Sequence, residues 1–130
     1  MGLQERRKIQ ELKDKTLPER SREIAEICGR EIGYEVDWPS IENDAQALNF
    51  LDNLSCHRLN MALRTICIDD IGREAVREGL KLVRLRNVGD PAQRRIVFEH
   101  GILEMDCAYA QGASGMHSDG AIREVLLAAL

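Results

Sequence analysis

The chain has 130 residues, of which 31% are charged and 44% apolar, and a net charge of −4. One domain of this size buries roughly two-thirds of its unfolded surface, enough for a core without disulfide or metal staples, and the composition excludes a disordered or fibrous chain. The longest apolar run, Val125 to Leu130, falls far short of the ~20 residues of a membrane span, and the stretch after Arg6, Arg7 and Lys8 is too polar for a secretory signal, so a cytoplasmic protein with no membrane partner is expected.

Helix formers with a thin apolar line of Leu3, Ile9 and Leu12 predict a mostly solvated helix over residues 2–15, peripheral or oligomerising. Thr16-Leu17-Pro18-Glu19 reads as a capping box with Pro near the first helical position, which starts a second helix through Ile24, Ile27 and Cys28. Gly29 and Gly33 break that pattern. Tyr34, Val36 and Trp38 alternate with Glu35 and Asp37, a half-buried strand closed by Pro39. Asn43, with Gln46 three residues on, opens a helical stretch whose first apolar face is Ala47, Leu48, Leu51 and Leu54. Breaks are expected near 55 and 69, where Ser55 and then Asp69 or Asp70 offer caps for pieces carrying Leu59, Leu63 and Ile66, and Ile71, Ala75, Val76 and Leu80.

Residues 82–88 alternate Val83 and Leu85 with Arg84 and Arg86, and Gly89-Asp90-Pro91 marks a turn. Strand periodicity then runs on both sides of His100-Gly101. A tight two-residue loop there sets Phe98 opposite Leu103, Ile96 opposite Met105, Val97 opposite Glu104 and Arg95 opposite Asp106, which sorts the apolar pairs onto one face. A one-residue slip would mix the faces. Residues 111–118 form a loop by composition, and Ser118 or Asp119 caps a last helix carrying Ile122, Val125, Leu126 and Leu130. The predicted order is α-α-β-α-α-α-β-β-β-α in a single α+β domain spanning 1–130. Its expected sheet is small and antiparallel, a three-strand C-terminal meander plus one earlier strand, covered on one face by helices.

Charge is uneven along the chain. Residues 31–54 hold six acids and no Lys or Arg, residues 55–98 nine basic residues against five acids, and residues 99–130 five acids against Arg123 alone. Folding that interleaves these segments pairs their charges, with Glu35 and Asp37 meeting Arg84 and Arg86 if their strands are neighbours; no basic stripe points to nucleic acid.

Cys56-His57 juxtaposes a thiol and an imidazole, but neighbours on a helix point about 100° apart, which denies them the contact a nucleophile and its base need. The four cysteines, at 28, 56, 67 and 107, and the three histidines show no ligand spacing, so no metal, cofactor or disulfide is expected. Asp69-Asp70 reads as a helix start before it reads as a carboxylate pair. The 111–118 loop offers Ser114, His117 and Ser118 to a small ligand at the start of the last helix, without the pattern of a phosphate-binding loop. The expected function is a non-catalytic protein-interaction module, self-associating as a homodimer through Leu3, Ile9 and Leu12 or binding a protein partner through Arg84 and Arg86. The alternatives are a small-ligand binder or enzyme using the 111–118 loop, and an immunity- or antitoxin-like inhibitor of another protein.

Overall fold

A computed structural model describes residues 2–130. Helices α1 (Leu3–Glu11) and α2 (Leu17–Cys28) are joined without a break by one wide π-helical turn, Leu12–Thr16. The capping box expected at Thr16 does not form: Thr16 keeps helical backbone angles and its side chain caps nothing. Pro18 explains the outcome, because it lacks the N–H that a regular turn would use, and the Leu17 N–H instead reaches five residues back to the Leu12 carbonyl. The helix ends at Gly29, whose φ of 88° suits a left-handed terminus.

Strand β1 (Gly33–Val36) is shorter than expected, since Trp38 leaves it to begin a one-turn helix, α3 (Trp38–Ile41). Helix α4 (Ala45–Leu51) is capped by Asp44, one residue past the expected Asn43. A second π-helical turn, Asp52–Cys56, carries it into α5 (His57–Ile66), so the break expected near 55 is a bulge. Ser55 caps nothing; it turns inward and bonds Tyr109 at 2.7 Å. The break at 69 is real, with Asp69 capping α6 (Asp70–Gly79) through Gly72. Val76 and Leu80 are buried as expected, whereas Ile71 is exposed.

The sheet contains β1, β2 (Leu82–Asn87), β3 (Arg95–Glu99) and β4 (Ile102–Cys107) in the order β1-β2-β4-β3. Helices and one sheet make the α+β fold expected. The antiparallel sheet and its C-terminal meander are corrected: β1, β2 and β4 run parallel, and only the β3–β4 pair is antiparallel. The observed order is also the better match of charge. A meander would have set Arg84 and Arg86 against the strand bearing Arg95, while the observed order sets them against Glu104 and Asp106. The hairpin register is the one read from the sequence at every pair, with His100 at φ 56° and Gly101 at φ 79°, both positive as a tight two-residue turn requires.

Val83, Leu85, Leu103 and Met105 are at most 1% exposed, and they pack with α2, α4, α5 and α7 (Asp119–Ala129) into one core. Among the described residues no helix covers the sheet's other face. The 111–118 loop is mostly two 3₁₀ segments, Tyr109–Gly115, hinged at Gly112. Any side chain at Gly115 would collide with the Ala108 carbonyl, which accounts for that glycine.

Candidate functional site

The helix-free face is built row by row from the strand register. At one end Gly33, Leu82, Ile102 and Glu99 lie side by side; the middle row is Glu35, Arg84, Glu104 and Val97; the far row has Arg86, Asp106 and Arg95, with Asp37 extending β1 beside them. Successive outward residues on a strand lie about 7 Å apart, and neighbouring strands about 4.8 Å, so the seven charges form a close lattice. Arg84 lies between Glu35 at 3.1 Å and Glu104 at 3.4 Å. Arg86 lies between Asp37 at 3.9 Å and Asp106 at 4.0 Å, and Arg95 reaches Glu104 at 3.9 Å. These contacts are loose and wet, Arg84 being 43% and Arg86 60% exposed. A shallow depression of about 490 Å³ runs over this lattice.

Arg84 and Arg86 therefore stand where a partner can reach them. Ile9 and Leu12 do not. They are buried in the chain's own core, along with Leu17 and Ile24, and of the predicted self-association stripe only Leu3 remains exposed. Helix α1 packs on α4 through this stripe, and its remaining residues are mostly exposed.

The loop residues each have an internal partner. Ser118 caps α7 through the Ala121 N–H, and the Ser114 hydroxyl donates to the Gln111 carbonyl. His117 Nε2 lies 3.1 Å from the Arg95 carbonyl and 3.2 Å from the Asp106 carbonyl; a carbonyl only accepts, so Nε2 carries the proton and ties the open end of the hairpin to the loop. Burial lowers the His117 pKa below its usual 6.5, opposed by those two carbonyls and reinforced by the nearby Arg94 charge. Arg58 and Arg94 hold the same segment by its backbone, at the His117 and Met116 carbonyls. A depression of about 510 Å³ lies beside it, bordered by Pro91, Arg94, Met116 and Ala121.

No local pattern of residues announces the polar network inside the helical layer. Arg20 grips Asp52 with two hydrogen bonds, at 2.7 and 3.1 Å, and holds Glu23 at 2.8 Å. Glu23 also accepts from Asn60, which is fully buried. The second π turn aims Cys56 inward, against the buried Tyr34 hydroxyl. Burial raises both the Cys56 and Tyr34 pKa values, so neither ionises near neutral pH. His57, meanwhile, faces solvent, and the thiol–imidazole pairing is absent. All four cysteines are buried free thiols, and burial pushes Cys67 up to about 11. Among the described residues no group of three or more His, Cys, Asp or Glu side chains is arranged to hold a metal ion. No helix among them is long and apolar enough to cross a membrane.

Comparison with known proteins finds no match to a protein-family model, to a curated protein or to a solved structure.

Proposed function

We propose that this chain is a non-catalytic protein-interaction module whose working surface is the helix-free face of its sheet and the strand edges that border it. The observation that carries the reading is the Arg84 and Arg86 lattice: seven charges held at 3.1–4.0 Å in an open, shallow depression, where a partner's charges can exchange with the internal ones. Acids outnumber arginines there, which disfavours nucleic acid as the partner. A cytoplasmic setting belongs to the same proposal, supported by four reduced thiols.

The competing ligand-binding reading draws on the 111–118 loop, whose Ser114, His117 and Ser118 are all spent on contacts within the chain. One comparison tests the choice. Wild-type protein and an Arg84→Glu, Arg86→Glu variant serve as bait in native lysate, alongside a small-molecule thermal-shift screen of the wild type. The reading expects one protein recovered stoichiometrically by the wild type and lost with the variant. Equal recovery by both baits, or no recovery together with a small molecule that stabilises the fold, overturns it.

A further inference from the structure

The two borders of the sheet differ in how well they are protected. β1 is four residues long, starts at a glycine and carries Glu35, with Asp37 just beyond; a second copy alongside would bring acid against acid. β3 is charged only at its two ends, Arg95 and Glu99. Arg95-Ile96-Val97-Phe98-Glu99 is a regular strand without proline, bulge or lysine. Its inward residues, Ile96 and Phe98, are only partly buried, in contrast to the fully covered inward residues of β2 and β4. The edge is thus incompletely covered where it is most apolar.

The hairpin fixes which backbone groups face outward. Residues flanking a two-residue loop exchange hydrogen bonds, so Glu99 with Ile102, and by alternation Val97 with Glu104 and Arg95 with Asp106, direct both groups toward β4. Ile96 and Phe98 direct theirs away from the sheet. β3 is the outermost strand, and no turn or loop bond among the described residues occupies that side of Ile96 or Phe98.

We propose that the partner of this edge is a second copy of the same edge, joined antiparallel about a two-fold axis at Val97 to give a continuous eight-stranded sheet. This rests on the reading of the chain as an interaction module and names the partner of its β3 border, distinct from the one met by Arg84 and Arg86. The five residues are complementary to themselves when reversed. Ile96 lies opposite the second copy's Phe98 and exchanges two backbone hydrogen bonds with it, and the symmetry gives four in all. On the helix side the same pairs bury apolar against apolar. On the open side Val97 meets Val97, and each Arg95 lies opposite a Glu99 that has no ion pair within its own chain among the described residues. Any other register loses one of these matches.

Sedimentation equilibrium on the full chain tests the pairing. At on the order of 50 µM the wild type is expected to be a dimer. Val97→Lys, on the exposed face at the axis, is expected to sediment as a monomer with its thermal midpoint, measured at dilution, near that of the wild type. Arg95→Glu and Glu99→Arg are each expected to weaken the dimer about tenfold by creating like-charge pairs, and the double variant, which restores opposite charges across the axis, to recover wild-type affinity. A monomeric wild type, a dimer that survives Val97→Lys, or a double variant no tighter than either single one overturns the proposal. Capture of another protein that depends on Arg84 and Arg86 would persist in the first case if the broader reading holds, which separates the two failures.

Discussion

Arg20 in the helical layer and Arg84 on the sheet each lie between two carboxylates, yet their surroundings give those contacts different worth. Arg20 is 19% exposed and meets Asp52 in a two-pronged fit at 2.7 and 3.1 Å, joining α2 to the second π turn across 32 residues of sequence. Arg84 is 43% exposed, and its partners Glu35 and Glu104 are wetter than Asp52. Water and salt screen such surface pairs to a few tenths of a kcal/mol, whereas removing one member of a sheltered pair strands the other. The first cluster therefore fixes the fold, and the second is free to be exchanged for a partner's charges.

The comparison is broken most severely at Asp52. Replacement by Ala should lower stability by about 2 kcal/mol in urea unfolding, because Arg20 keeps Glu23 but loses both bonds to Asp52 in a sheltered site. A loss below about 0.5 kcal/mol would place this cluster in the same class as the surface lattice.

His117 is an intermediate case, a half-buried donor joining hairpin and loop. Its folded pKa lies below the unfolded 6.5, so the unfolded chain binds the proton more readily, and stability should fall as pH drops from 6.5 toward the lower folded value. The decline is expected to flatten in His117→Gln, measured as unfolding midpoints between pH 7 and the onset of carboxylate titration near about 4.5. An unchanged slope in the variant would remove His117 from the account. Arg84→Ala should have the smallest effect, under about 0.5 kcal/mol on stability, with a clear loss of partner binding.

What was legible in the sequence follows from how local the cause is. The β3–β4 register could be read pair by pair, because two residues of loop and a period of two leave one consistent alignment. The caps at Asp69 and Ser118 were visible for the same reason. The two π turns were not. At Pro18 the chain offers a capping pattern and a missing donor at once, and tertiary packing of Leu12 decided between them. The thin stripe of Leu3, Ile9 and Leu12 suggested an external partner because a stripe does not say what covers it; in the fold α1 lies on α4, and Ile9 and Leu12 are in the core. Of the candidate site, Arg84 and Arg86 with their pairing to Glu35 and Asp37 were legible from alternation. That β4 would supply the other wall, Glu104 and Asp106, was not, since adjacency of β2 and β4 depends on the order of the whole sheet. Nothing marked Arg20, Asp52 and Asn60 as neighbours, for they meet only in the folded layer.

That the sheet is where this protein meets its partner can be read directly by amide hydrogen exchange along its two borders over a range of protein concentrations. The Ile96 and Phe98 amides, which point away from β4, should exchange rapidly in dilute solution and become protected as concentration rises, while β1 shows no such dependence. Amides of Ile96 and Phe98 that stay equally unprotected from dilute to concentrated solution, or β1 amides that gain protection in their place, would contradict the account.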